Sequence, residues 1–160
     1  MEKICWANTD DFDDSDFVIV GIPDESQSHS LRQGTKEAPS KIRQISNQRD
    51  AYVRDGKISL GRPFQGFEKK VHDTGNISRD QIEVTYGKIS GCSKIPISIG
   101  GDHSITSKIV NTLAEKLGKI SLVYFDAHPD FVSSVPNYYG SVINDVLPNI
   151  EIESSVQIGI

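Results

Sequence analysis

Two short segments of the sequence carry residue types that bind metal ions. In Asp126-Ala127-His128-Pro129-Asp130, two carboxylates flank an imidazole at alternate positions, and Gly100-Gly101-Asp102-His103-Ser104 lies upstream. Oxygen donors combined with imidazole, without cysteine, suit Mn²⁺, Fe²⁺, Co²⁺ or Zn²⁺, and Mn²⁺ fits a carboxylate-rich set well. We therefore predict a metal site with four ligands: His103, Asp126, His128 and Asp130.

The spacing of the second segment favours convergence of its side chains. In an extended chain, residues 126, 128 and 130 project from one face. Pro129 supports this geometry because it disfavours the helical region for His128. A single His-Asp pair at a strand end is more often a hydrogen-bonded structural pair, but several ligands at two strand ends make that interpretation less favourable, since buried charges need compensation.

Other polar residues receive ordinary structural interpretations. Asp102 is expected to cap the following helix rather than to bind metal, and His29 and His72 are expected to be surface or turn residues. A carboxylate that bridges two cations about 3.5–4 Å apart would activate water for attack on a planar, resonance-stabilised carbon. Two cations need more anionic ligands than Asp126 and Asp130, and the sequence offers no obvious further pair.

The elements that position these segments alternate between strands and helices. Apolar runs predict strands at Phe17–Ile22, Val71–Asp73, Ile95–Ile99, Ile120–Phe125 and Val156–Ile160. The run Ile95–Ile99 is nearly continuous, as expected for a strand covered on both faces of a sheet. This alternation predicts an α/β fold with a parallel sheet, in which sites form outside the carboxyl ends of the strands. The sequence stops within the last strand pattern, so we expect an unfinished sheet.

Helix signals separate the predicted strands. Thr35 is a candidate N-cap for a first helix, whose apolar positions share one face: Ala38, Ile42 and Ile45. A capping box of Ser78 and Gln81 begins a second helix, which ends at Gly91. A third helix follows Ser104 and ends before Gly118, with one apolar face: Ile105, Ile109, Val110, Leu113 and Leu117. Residues 47–70 are interpreted as solvated surface, and residues 131–150 as a loop and a short helix.

The composition excludes several classes of protein. The chain has 160 residues, a length that suits one domain, and a net charge of −5, which gives no basic footprint for nucleic acid. No apolar run approaches the roughly 18–20 residues needed to span a membrane, and the N-terminus lacks a signal-peptide pattern. Cys5 and Cys92 fit no metal or redox spacing. We therefore predict a cytoplasmic protein with free thiols that binds neither nucleic acid nor membrane.

The two segments resemble the first two metal-binding signatures of the ureohydrolases (arginase, agmatinase and formimidoylglutamase). Weaker similarity extends to an early Gly-x-Pro element and to an Arg-x-Gly element with its following Pro-x-x-Ile-Arg: Gly21, Pro23, Arg32, Gly34, Pro39, Ile42 and Arg43. The resemblance covers nearly the whole chain but only the first half of the family domain. It implies a three-layer α/β/α fold with a mostly parallel sheet, incomplete here, in which residues 1–160 form the N-terminal part of one domain.

The resemblance also implies roles for the ligands. His103 and Asp130 would bind one Mn²⁺, His128 would bind a second, and Asp126 would bridge both. Asp130 would also orient the bridging hydroxide, which makes it the predicted catalytic residue. The implied reaction hydrolyses a guanidino or amidino C–N bond and releases urea, with agmatine, giving putrescine, as the preferred substrate. Family members form trimers or hexamers, so a homo-oligomer is expected.

Two departures from the family pattern leave alternatives open. The third signature, Asp-x-Asp-x-x-Asp-Pro, which would supply the remaining Mn²⁺ ligands, does not occur within the 160 residues. Tyr139-Gly140 stands where many members have His-Gly, and a phenol with a pKa of about 10 is a poor proton shuttle. This chain alone is therefore expected to be inactive. The alternatives are a hydrolase of formimidoylglutamate or another guanidino acid, and a non-catalytic metal-binding or subunit-interaction module.

Overall fold

The computed structural model describes residues 2–47 and 68–160 in full, together with the backbone of residues 52–54 and 57–59. Most of the segment 47–70, for which the sequence predicts a solvated surface, lies outside these residues. The described strands are β1 (Phe17–Ile22), β2 (Tyr52–Arg54), β3 (Lys57–Ser59), β4 (Val71–Asn76), β5 (Ile95–Gly100), β6 (Val123–Phe125) and β7 (Val156–Ile158). The described α-helices are α1 (Ala38–Asn47), α2 (Ile82–Gly91), α3 (Ile105–Leu117) and α4 (Val142–Val146).

The main strands run parallel, as the sequence predicts. One sheet has the order β4-β1-β5, and β6 pairs with β7 in a second sheet. The exception is an antiparallel pair of β2 and β3, with Val53 opposite Ile58. This pair was not predicted, although the sequence between the two strands, Asp55-Gly56, is a common hairpin dipeptide. The fold is therefore mixed α/β with a parallel core.

The two parallel sheets are not joined by a strand ladder in the described residues, since β5 pairs with β1 and β6 with β7. The prediction that β5 is covered on both faces is wrong there, because Ile95 and Ile97 are 54% and 43% exposed. In β6, Val123 and Phe125 are 66% and 73% exposed. β6 is also shorter than predicted, and Ile120 makes only an isolated bridge to Ile150. No described element covers these apolar side chains.

The largest core cluster lies between β1 and the helices α2 and α3. It contains Val18, Val20, Ile22, Ile77, Ile82, Tyr86, Ile89, Ile105 and Ile109. Burial raises the pKa of Tyr86 to about 12, and its hydroxyl hydrogen-bonds Ser98 at 2.5 Å. The capping box is confirmed, because the Gln81 side chain accepts a hydrogen bond from the Ser78 amide at 2.9 Å. Leu117, predicted on the apolar face of α3, is 63% exposed because it ends the helix beyond the packed turns.

The predicted apolar face of α1 is wrong. Ile42 and Ile45 are 41% and 62% exposed, whereas Pro39 and Arg43 are buried. Thr35 is also not the N-cap, because a short 3₁₀ turn precedes α1 and begins after Gly34, which has a φ of 125°. The Glu25 carboxylate accepts the Gly34 amide there at 2.6 Å. The helix is therefore oriented by polar contacts.

The buried face of α1 carries an ion pair. Arg43 is 1% exposed, and its Nε and Nη2 donate to the two Asp73 oxygens at 2.8 and 2.7 Å. Its Nη1 donates to Asn76 at 2.5 Å. A Cβ at Gly21 would clash with Asn76 Oδ1 and would lie 2.7 Å from Arg43 Nη1, so a side chain here would displace both groups. The pair fixes α1 against β4 and β1.

The pKa of Asp73 reflects the same contacts. Burial by itself would raise this pKa, but the hydrogen bonds from Arg43, the Ile4 amide and the Gly75 amide outweigh burial and lower it. The carboxylate is therefore ionised in the folded protein.

In the described part of the chain, no helix is both long and apolar enough to cross a membrane. Cys5 and Cys92 are free, as predicted.

Replacing Arg43 with methionine is expected to lower the free energy of unfolding by about 3–5 kcal/mol, because the Asp73 carboxylate would remain buried without its partner. Urea denaturation followed by circular dichroism measures this loss. Arg32→Met is the matched control, because Arg32 is exposed and its replacement should change stability by less than about 0.5 kcal/mol. Equal stability of the two variants would contradict the assigned role of the pair.

The same pair predicts an acid limb in the stability profile. Because folding lowers the pKa of Asp73, the ionised carboxylate stabilises the fold above the ordinary carboxyl pKa of about 4. This contribution is lost as the pH falls through the folded-state pKa. Urea denaturation between about pH 6 and about pH 2 should show the difference between wild type and Arg43→Met shrinking as the pH falls. A constant difference would argue against the ion pair as its source.

Candidate metal centre

The structure brings three of the four predicted ligands together. His103, Asp126 and Asp130 each offer one ligand atom, and these atoms lie within 4.8 Å of one another. His103 follows β5, whereas both aspartates follow β6. The strand ends therefore converge without direct pairing between β5 and β6.

His103 is held by both ring nitrogens. Its Nε2 lies 3.3 Å from Asp130 Oδ2, and its Nδ1 lies 3.1 Å from the hydroxyl of Thr106 in the first turn of α3. A hydrogen bond at one nitrogen orients the ring so that the other faces the ligand position. The imidazole is half-buried and is therefore fixed at the edge of the cluster.

The two aspartates differ in their surroundings. Asp130 is buried, has a φ of 44°, and its carbonyl accepts the Ile143 amide at 3.0 Å. Asp126 Oδ1 accepts the His128 amide at 2.9 Å. Burial would raise the pKa of Asp126, but the hydrogen bonds from His128 outweigh it and lower this pKa. The site therefore holds at least one ionised carboxylate.

His128 lies outside the group. Its side chain is 79% exposed, and its Nδ1 lies 3.2 Å from Asp126 Oδ1. The expectation that 126, 128 and 130 share one face is wrong for His128, because β6 ends at Phe125 and the chain bends at residues 127 and 128. His128 as a metal ligand stays a prediction.

Two residues at the site were missed by the sequence analysis. The Tyr124 hydroxyl lies among the ligand atoms, and its position two residues before Asp126 in a strand could have revealed it. Arg79 donates through Nη1 to Asp24 at 2.7 Å and to the Ser104 hydroxyl at 2.8 Å. Arg79 gave no sequence signal, because its partners lie far away in the chain. It joins the loop after β1 to the segment that carries His103.

Asp102 lies at the entry to α3 but does not cap it as predicted, because the N-cap is Ser104 and no side-chain capping hydrogen bond forms there. Its carboxylate accepts the Ser104 amide at 2.8 Å, at the entry to α3, and the Gln27 amide at 3.2 Å. The Asp102 amide in turn donates to the Asp24 carbonyl at 2.8 Å. A Cβ on Gly101 would lie 1.9 Å from that carbonyl oxygen. Glycine therefore allows the close approach that places His103.

The remaining residues singled out in the sequence are not members of the ligand group. Tyr139 packs against Tyr138, with ring centroids 4.2 Å apart, and Tyr138 contacts His29 with centroids 5.0 Å apart. The hydrogen bond between the two tyrosines raises the pKa of Tyr138. His72 lies in β4 and packs edge-on against Phe12. His29 and His72 therefore have no part in the ligand cluster.

The donor set fits a divalent cation. One imidazole nitrogen and carboxylate oxygens from two aspartates face one point, and no sulfur is present in the group. This chemistry suits Mn²⁺ and related ions of intermediate hardness. A site with three protein ligands leaves room for further ligands and substrate.

Comparison with known proteins identifies the family. The sequence model of the arginase family matches residues 15–160. The chain belongs to the arginase family. The three residues of the ligand cluster lie within the matched range.

Individual relatives agree with this assignment. The chain is 30% identical to an agmatinase of Proteus mirabilis over 159 residues, which cover 92% of this chain and 51% of the relative. It is 33% identical to a guanidinobutyrase of Pseudomonas aeruginosa over 130 residues, which cover 75% and 39%. The agmatine ureohydrolase of Thermoplasma volcanium superposes with a TM-score of 0.70 at 27% identity, covering 94% and 51%. The chain thus spans about half the length of these arginase-family relatives, or less.

Asp102→Ala tests how the His103 segment is held. The variant removes the acceptor of the Ser104 and Gln27 amides, so both amides should exchange faster with solvent, and stability should fall by about 1–3 kcal/mol. Hydrogen exchange followed by NMR measures the first effect and urea denaturation the second. Asp80→Ala, at an exposed aspartate, is the control. Unchanged exchange at both amides would contradict the assigned contacts.

Proposed function

We propose that this chain is the N-terminal part of a manganese-dependent ureohydrolase that converts agmatine to urea and putrescine. The observation that carries the proposal is the convergence of His103, Asp126 and Asp130 in an arginase-family chain. Guanidino substrates are cations, and an ionised Asp126 favours their approach. The agmatinase and agmatine ureohydrolase among the relatives support agmatine as the substrate.

The proposal assigns the remaining ligands to residues that follow Ile160 in a longer protein. Two features support this. The relatives are about twice as long as the chain, and β5 and β6 expose apolar side chains that a continued sheet would cover. Residues 1–160 would then be one part of a single domain. The further expectations of a homo-oligomer in the cytoplasm, with a small guanidino substrate and without nucleic acid or membrane partners, belong to the same proposal.

Each ligand has a stated role in the proposed reaction. Bound manganese would lower the pKa of water and polarise the substrate. His103 presents a ring nitrogen whose orientation Thr106 fixes. Asp126 would hold manganese through its carboxylate. Asp130, buried and held by the chain turn, would accept a hydrogen bond from the attacking water and orient it towards the guanidinium carbon.

A guanidino acid is the second candidate substrate. The observation that favours it is the 33% identity to a guanidinobutyrase. Agmatine and 4-guanidinobutyrate share the reacting group and differ at the far end, where one carries an ammonium group and the other a carboxylate. The two substrates can therefore be distinguished by whether the site accepts a positive or a negative charge at the far end.

The natural protein is expected to release urea from agmatine with a kcat/KM at least tenfold above that for 4-guanidinobutyrate or formimidoylglutamate. Assays of urea, ammonia and formamide with the three substrates measure this preference. The 160-residue chain by itself should release little urea, because its described ligands do not complete a two-ion site. Strong urea release by the isolated chain would contradict the proposal that further metal ligands follow Ile160. Release of formamide would favour formimidoylglutamate as the substrate.

Metal binding is tested by isothermal titration of the chain with Mn²⁺. His103→Gln and Asp126→Asn should each abolish measurable binding, because each removes a donor from the cluster. His72→Gln, which changes a histidine outside the cluster, should bind like wild type. His128→Gln should bind more weakly if His128 moves to ligate an ion, and unchanged binding would remove it from the ligand set of this chain.

A further inference from the structure

One hydroxyl contacts all three residues of the ligand group. Tyr124 Oη lies 2.5 Å from Asp130 Oδ2, 2.7 Å from His103 Nε2 and 3.3 Å from Asp126 Oδ2. A phenol has a single proton to donate and accepts further hydrogen bonds through its oxygen. Tyr124 therefore connects the ligands of both strand ends through one atom.

The position of this hydroxyl is set by a strand. Tyr124 is the central residue of β6 and pairs with Gln157 of β7 in the parallel ladder. Its ring stacks on the His103 imidazole with centroids 5.6 Å apart and an angle of 17° between the rings. Side chains on regular strands are placed more precisely than those on loops. Strand pairing and ring stacking thus set the position of the phenol relative to the ligands around it.

The connection matters because the backbone does not supply it. His103 follows β5 while Asp126 and Asp130 follow β6, and no strand ladder joins β5 to β6 in the described residues. The ligands from the two sides must be aligned by side-chain contacts. The Tyr124 hydroxyl provides such a contact to each side.

We propose that Tyr124 is a positioning residue of the metal centre, which aligns His103 with the two aspartates across the gap between β5 and β6. This inference rests on the proposed function, because it takes the cluster to be a metal site. The contacts of its hydroxyl with Asp130 and His103 and the stacking of its ring on the imidazole carry this role. His103 would hold the ion through a ring nitrogen, and the hydroxyl has a separate bond to Asp130.

The test compares Mn²⁺ binding to wild type and Tyr124→Phe, which removes the hydroxyl and retains the ring. Loss of a hydrogen-bond partner of a ligand typically weakens metal affinity by about 10–100-fold, and we expect a loss in this range. Tyr86→Phe is the matched control, because it also removes a tyrosine hydroxyl that bonds another side chain but contacts no ligand. Its affinity should equal that of wild type. Urea denaturation of each metal-free variant confirms that the fold is intact.

A spectroscopic measurement separates positioning from stability. At saturating Co²⁺, the visible absorption spectrum reports the arrangement of ligands around the ion, and it should differ between wild type and Tyr124→Phe but not between wild type and Tyr86→Phe. In wild type labelled with ¹³C-tyrosine, titration with Zn²⁺ should shift the Tyr124 ring resonance and leave Tyr86 unmoved. This last measurement needs no variant, so it holds even if Tyr124→Phe fails to fold.

The outcomes distinguish the two proposals. If the natural protein binds no Mn²⁺, the metal centre of the proposed function is wrong, and the role of Tyr124 is wrong with it. If wild type binds Mn²⁺ and Tyr124→Phe binds equally well, only the positioning role is overturned. Tighter binding by Tyr124→Phe also overturns it, because the hydroxyl would then compete with the ion. Weaker binding with an altered Co²⁺ spectrum supports the proposal.

Discussion

The buried ion pair between Arg43 and Asp73 is the interaction on which the first half of the fold depends. A guanidinium that is 1% exposed requires a partner for each of its donors, and Asp73, Asn76 and two backbone carbonyls supply them. Since an unpaired charge in this position would be costly, α1 has one allowed orientation over β1 and β4. The Asp73 carboxylate also accepts the Ile4 amide at 2.8 Å, which ties the N-terminal segment to the same point.

A second polar network performs the same task nearer the ligands. Arg79 joins Asp24, after β1, to Ser104, after β5, while Asp102 bonds amides of both segments. The segment that carries His103 is thereby fixed to the rigid three-stranded sheet. Asp126 and Asp130 belong to the other sheet, so their alignment with His103 depends on side-chain contacts such as those of Tyr124. Long-range side-chain contacts, both polar and apolar, hold this group of ligands together, since no strand ladder joins β5 to β6 in the described residues.

Much of the fold follows from local sequence signals. The bounds of β1, the capping box at Ser78 and most of the apolar face of α3 were predicted, because hydrophobic periodicity and capping are local properties. The failures occurred where burial is decided by distant residues. Ile42 and Ile45 have helical spacing but face solvent, because Arg43 on the same helix has its partner on β4. Ile97 lies in an apolar run but is exposed, because no described element covers β5.

For the site, the sequence by itself determined the ligand types, their order and their location after two strands, since these properties depend only on residue identity and periodicity. It also carried the family signature, which the match over residues 15–160 confirmed. Tertiary structure decided which of the four side chains meet. The bend at residues 127 and 128 leaves His128 exposed, while Tyr124, which was not predicted, reaches the ligands. The spacing of residues determines neither the path of the chain after β6 ends nor the position of β5 beside it. Both depend on contacts between residues far apart in sequence.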